Sequence, residues 1–145
     1  MNRTIKFRAK RIDNNKWTYG GLIQADDYCI IDQGNELYVE RDYNFRGDTH
    51  FFQLSGVMCD EKTIGQFTGL LDKNGKEIYE GDIVRVYAKY GIFNIVVKWS
   101  NDSIAFMACY VDGEQSPFSW FTNLLVYELE VIGNVFDNPD LIKEE

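Results

Sequence analysis

Apolar residues in this chain recur with a period of two and almost nowhere with the 3.6-residue period of a helix. Phe93, Ile95, Val97 and Trp99 form one such row, and Ile104, Phe106, Ala108 and Tyr110 form the next. A period of two puts alternate side chains on one face of a strand. Only Ser100-Asn101-Asp102-Ser103 separates the two rows. Four residues cannot make the crossover that parallel strands need, so the rows form an antiparallel pair. The same reasoning predicts strands near 4–9, 17–23, 83–88, 93–99, 104–111 and 127–132.

Turn chemistry falls between the rows. Ile5, Phe7 and Ala9 alternate with Lys6, Arg8 and Lys10, which predicts a strand with one buried and one basic face. Asp13-Asn14-Asn15-Lys16 follows and joins it to Trp17, Tyr19 and Gly21 as a hairpin, because Asn and Asp tolerate left-handed backbone. Asn74-Gly75 is a tight hairpin turn by the same logic. Glu80-Gly81-Asp82 turns the chain again before Ile83. A short helix or 3-10 turn within 116–126, rich in Phe118, Trp120 and Phe121, is expected to close a small barrel. Asn138-Pro139 offers an N-cap with proline at the first helical position, and Leu141 and Ile142 are expected to dock that last turn. The expected fold is mostly β: antiparallel strands, an SH3-like small barrel in the C-terminal half and a short C-terminal helical turn. A loose boundary near 60 divides a β-rich region, 1–60, from the barrel, 61–145.

The chain has 145 residues, 45% hydrophobic and 26% charged, enough to bury a core without metal or disulfide staples,. Cys29, Cys59 and Cys109 are odd in number and widely spaced, with no CxxC pair,. No apolar run approaches the roughly 20 residues of a membrane-spanning helix, and no signal-peptide core follows the basic N-terminus. These features predict a cytoplasmic protein without membrane contact.

Few residues offer catalysis. Every histidine-based mechanism must use His50, which sits in a polar stretch better suited to a surface role,. One histidine and scattered cysteines do not make a zinc set. Asp72-Lys73-Asn74-Gly75 has its glycine too early for a calcium loop, and Ile83 stands where that loop needs a glutamate,. Gly69 to Lys76 has one residue too many for a phosphate loop, and Glu77 replaces the required hydroxyl,. Carboxylates gather at Asp26, Asp27 and Asp32, and at Glu128 and Glu130, where solvated faces are the default for an acidic chain. No catalytic residue, metal site or cofactor is assigned, and the chain is not expected to be an enzyme.

Two stretches offer binding surfaces. The first 16 residues carry +5, from Arg3, Lys6, Arg8, Lys10, Arg11 and Lys16 against Asp13, in a chain of net charge −8. With Trp17 and Tyr19 as stacking surfaces, this strand suits a nucleic acid. Equally, it suits acidic neighbours in its own fold or a second subunit, and the overall acidity favours that alternative. Gly65, Gln66 and Phe67 would shape a ligand or partner surface, with close backbone approach at Gly65 and a flat wall at Phe67. Strand glycines, however, more often mark bulges or tight packing.

Three segments resemble the YopX family of phage and prophage proteins: Ile5–Asp13 with Trp17–Gly20, Thr63–Arg85, and Glu130–Leu141. The long central run is the most specific. The resemblance implies a mostly β protein with an SH3-like barrel, phage or prophage origin and a bacterial cytoplasm. It carries no catalytic residues. The function expected is therefore a non-catalytic binding or adaptor module, whose partner is a host or phage macromolecule or a second copy of the chain. Nucleic-acid binding through the N-terminal strand is the alternative, and an enzyme with a carboxylate site a further one. A homo-oligomer using Lys6, Arg8 or Lys10 would bring the basic strand against an acidic face.

Overall fold

A computed structural model describes the backbone of residues 2–26, 28–32, 38–44, 47–53, 56–123 and 125–143, and the side chains of the same residues except 38–53. The chain divides into two compact units, Ile5–Ile64 and Gly65–Glu145, the latter including Met1–Thr4. Both are built from antiparallel strands, and no α-helix occurs among the described residues.

In the first unit, β1 (Phe7–Lys10) pairs with β2 (Trp17–Ala25), and β2 with β3 (Tyr28–Asp32). β4 (Tyr38–Asn44) and β5 (Gly47–Gln53) form their own hairpin. β6 (Gly56–Met58) returns to β3, and a 3-10 turn spans Glu61–Thr63. Ala9, Cys29, Ile31 and Cys59 make the core, with Phe7, Leu22, Val57 and Ile64 packed around it. Gly20 is required here: a Cβ would run into the carbonyl of Asp32 on β3.

In the second unit, β7 (Gly65–Leu71) and β8 (Glu77–Tyr79) form the Asn-Gly hairpin. β9 (Asp82–Ala88), β10 (Gly91–Ser100), β11 (Ala105–Tyr110), β12 (Gln115–Pro117) and β13 (Val126–Asn134) form a five-stranded sheet in the order β12-β11-β10-β9-β13. The alternation read from sequence sets its faces. Val84, Val86, Ile95, Val97 and Ala108 point into one core, which Ile78, Phe118 and Phe121 complete. Ile83, Val96, Met107 and Cys109 occupy the opposite face and pack against Ile132, Val135 and Ile142.

The polar residues of the central motif are spent on backbone. Asp82 is buried and accepts the Tyr79 N–H at 2.8 Å. Gly81 N–H donates to Val97 O, and Val135 N–H donates to Gly81 O. Asp72 accepts from Asn74, Lys76 and Val131 N–H groups at 2.8, 2.9 and 3.0 Å. The turn at Asn74-Gly75 has Gly75 at φ +78°, the left-handed backbone that the sequence predicts,.

Two expectations need correction. The SH3-like barrel is not closed: β12 and β13 are the two edges of an open sheet. β12 is three residues long and ends at Pro117, which has no N–H to continue a ladder,. A 3-10 turn, Phe118–Thr122, then takes the chain away and inserts Phe118 and Phe121 into the core. The C-terminal helical turn is likewise a short 3-10 segment, Pro139–Ile142. Its Asn138 side chain does not cap it but accepts the Asn134 N–H instead. Ile142 docks as expected, while Leu141 stays exposed.

Candidate binding surface

The basic strand does not present one basic face. Arg8 and Lys10 are only 4% and 9% exposed, so both faces of β1 are covered. The register pairs Lys10 with Trp17 and Arg8 with Tyr19. The Arg8 guanidinium lies 4.6 Å above the Trp17 ring and the Lys10 ammonium 5.5 Å from it. Trp17 thus serves as a surface for its own neighbours' cations, a contact that strengthens as water is excluded. Arg11 reaches Asp13 through Nε at 2.9 Å and Nη2 at 2.6 Å. That hydrogen-bonded pair holds the Asp13 carboxyl below its ordinary range and raises Arg11. Arg3 and Tyr19 are exposed and Lys6 half-exposed.

Gly65, Gln66 and Phe67 lie in β7 and are braced by β8 and the turn after it. A Cβ on Gly65 would sit 2.5 Å from the Glu80 carbonyl oxygen. Gln66 O accepts the Glu80 N–H, and the Phe67 ring meets the buried Tyr79 ring at 5.7 Å. Asp26 lies in the turn before β3 and Asp32 ends that strand, so the length of β3 separates these two carboxylates. Asp27 and the His50 side chain lie outside the described residues.

Glu128 and Glu130 do come together, with residues the sequence did not single out as a site. On β9 and β13 the register sets Glu130 beside Arg85 and Glu128 beside Tyr87. The Tyr87 hydroxyl donates to Glu130 Oε2 at 2.8 Å. Lys73, carried in by the Asn-Gly turn, places Nζ 3.5 Å from Glu128 and 3.4 Å from Glu130. The same ammonium lies 4.8 Å from the Tyr87 ring centre, and Arg85 Nε donates to Asn94 at 3.3 Å. Two backbone contacts fix the turn in place: Lys73 N–H donates to Leu129 O, and Asp72 accepts from Val131 N–H.

The charged forms of Glu130 and Lys73 are favoured here. The Tyr87 hydrogen bond, with Lys73 beside it, holds Glu130 below the ordinary glutamate range. Burial works against charge on Lys73, but Glu130 and Tyr87 outweigh it and its pKa is raised. Both shifts lead away from neutrality, whereas a general acid or base works best with a pKa near the working pH. Among the described residues, no group of three or more His, Cys, Asp or Glu is placed to hold a metal.

Hollows flank the cluster. One, about 320 Å³, is lined by Arg85, Tyr87, Ile92, Phe93 and Asn94. The other, about 230 Å³, includes Leu71, Lys73, Phe121, Tyr127 and Leu129. Ile92 and Tyr127, one at each, are 65% and 66% exposed, and Leu71 is exposed as well. In the first unit a cleft of about 460 Å³ opens between Arg11, Ile12, Tyr28 and Met58, with Cys29 and Cys59 on its wall. No described helix is long and apolar enough to cross a membrane.

The fold is similar to a crystal structure of protein EF1440 from Enterococcus faecalis, with a TM-score of 0.57. At 22% identity, that likeness covers 98% of this chain and 100% of the other. No curated protein matches the chain. Residues 6–143 match the profile of the YopX protein family, and the chain belongs to that family.

Proposed function

We propose that this protein is a non-catalytic binding module that docks a protein partner on the surface formed by the Lys73–Glu128–Glu130–Tyr87 cluster and the hollows at Ile92 and Tyr127. The observation that carries this reading is the pairing of exposed Ile92 and Tyr127 with a fixed Lys73–Glu128–Glu130–Tyr87 cluster. Recognition surfaces combine apolar anchors with polar groups already held in place, because such groups lose little entropy on binding. With Arg85 beside Glu130, two cations face two carboxylates, and this balanced, engaged set suits a protein surface better than a phosphate backbone,. A phage or prophage origin and a bacterial cytoplasm belong to this reading and rest on the family.

The test uses wild type and an Ile92→Asp/Tyr127→Asp variant as baits in nuclease-treated bacterial lysate, followed by titration of the purified partner. Both positions are exposed, so the variant keeps its circular dichroism spectrum. A protein bound by wild type and at least tenfold more weakly by the variant supports the proposal. Equal binding by both, capture that disappears on nuclease treatment, or no captured protein overturns it.

A further inference from the structure

Cys29 and Cys59 stand far apart in sequence but directly opposite each other across β3 and the strand edge that follows β6. The β3–β6 register, Ile30 with Met58 and Ile31 with Val57, continues outward to Cys29 with Cys59. The Cys59 N–H donates to Cys29 O at 2.9 Å, which holds the two backbones at the spacing of an antiparallel ladder. Cα atoms of such a pair are about 5.5 Å apart, inside the window of roughly 4.4–6.8 Å that a disulfide spans. Both side chains belong to the same four-residue core, 2% and 3% exposed. Burial pushes both thiols above the ordinary range, and Cys59 adds to the rise at Cys29.

We propose that Cys29 and Cys59 form a reversible dithiol–disulfide pair that exchanges with low-molecular-weight disulfides such as glutathione disulfide. Access comes through the cleft whose wall both residues share. β6 is only three residues long, and few ladder bonds must part for a small disulfide to reach the pair from the cleft,. One cysteine thiolate attacks a glutathione disulfide sulfur and displaces a glutathione thiolate. The second cysteine, deprotonated, attacks the protein sulfur of that mixed disulfide and displaces the second glutathione. The two thiol protons pass to the departing thiolates, so two cysteine thiols and one glutathione disulfide give one protein disulfide and two glutathione thiols. Cys59 Sγ now donates to Val57 O at 3.3 Å and turns from it on pairing. Opposed Cβ atoms in a ladder are about 4.5–5.5 Å apart and a disulfide draws them to about 3.5–4.5 Å. Closing the bond therefore needs only a small approach of the two Cβ atoms, and reduced glutathione reverses it by the same exchange.

Cys109 supplies the internal control, because it is buried in the other unit's core. Native protein is incubated with millimolar glutathione disulfide, alkylated and mapped by peptide mass. The expected result is a Cys29–Cys59 disulfide with Cys109 alkylated, complete reversal by reduced glutathione, and a rate rising about tenfold per pH unit below the thiol pKa. A Cys109→Ser variant gives the same pair. Three free thiols after prolonged incubation, a mixed disulfide that never resolves, or a bond involving Cys109 each overturn the proposal.

Discussion

Asp72 and Val131 are 59 positions apart, yet the Asp72 carboxylate accepts the Val131 N–H at 3.0 Å. The other oxygen of the same carboxylate accepts from Asn74 and Lys76 and shapes the turn. One side chain therefore builds the hairpin tip and fastens it to the edge of β13. That anchor is what brings Lys73 to Glu128 and Glu130.

Asp72→Ala removes the acceptor for three backbone N–H groups and is expected to cost about 3 kcal/mol at neutral pH, since bonds to charged groups are the stronger kind. Burial opposes ionisation of Asp72, but the Val131, Lys76 and Asn74 hydrogen bonds outweigh it and its pKa is lowered. A lowered folded-state pKa gives stability that is present above the unfolded value and lost as pH falls through the folded one. The stability gap between wild type and variant should therefore shrink below about pH 4. Denaturant midpoints at pH 7 and pH 3 check this, and a gap independent of pH would refute it.

Gly75→Val places a β-branched residue at φ +78° with nothing within 4 Å of its Cβ. Its cost is purely backbone strain, roughly 1–3 kcal/mol. Gly75→Asn should lose much less, because Asn visits the left-handed region readily. Equal denaturation midpoints for the two variants would contradict this origin.

Ile104 presents the inverse case. It is 77% exposed and holds φ +51°, a conformation that crowds its branched Cβ. Ile104→Asn should raise stability by about 1 kcal/mol, since little packing is lost and strain is relieved. A thermal midpoint that does not rise would show that the neighbouring turn relaxes around isoleucine.

Gly65 separates a structural from a ligand-binding role in the segment of Gly65, Gln66 and Phe67. A Cβ there meets the Glu80 carbonyl at 2.5 Å, and backbone moves only with the turn that Asp82 fixes. Gly65→Ala is expected to destabilise the fold by roughly 1–3 kcal/mol. Unchanged stability would return this glycine to the ligand reading.

The strands were legible because alternation reports one buried face directly. Phe93 to Val97 and Phe106 to Tyr110 lie in β10 and β11, paired in the register that the short loop between them requires. Alternation failed at β1, where Arg8 and Lys10 read as solvent-facing yet are buried. Long cationic side chains cover an aromatic ring with their stems, and the hairpin read from the sequence does not give the register that sets Trp17 opposite Lys10,. Barrel closure failed for a related reason. Nothing local at Pro117 tells whether the chain rejoins β13 or, as here, drops Phe118 and Phe121 into the core. In the candidate surface Glu128 and Glu130 were visible as a pair. Lys73 and Tyr87 reach them only through the Asp72 anchor and the β9–β13 register, both long-range relationships.

An interface using five cations, Arg3, Lys6, Arg8, Lys10 and Arg11, would show a log–log salt slope of about −3.5 on single strands. Arg8 and Lys10 instead lie under cover beside Trp17, and Arg11 is held bidentate by Asp13. Exposing Arg8 and Lys10 to phosphate would sacrifice these contacts, and the chain's net charge of −8 repels the polyanion throughout,. The protein should therefore pass through a single-stranded DNA or RNA column at physiological salt, and Trp17→Leu should lower stability without changing elution. Retention with a slope steeper than about −3, lost in Arg8→Gln/Lys10→Gln, would restore the nucleic-acid function to this strand.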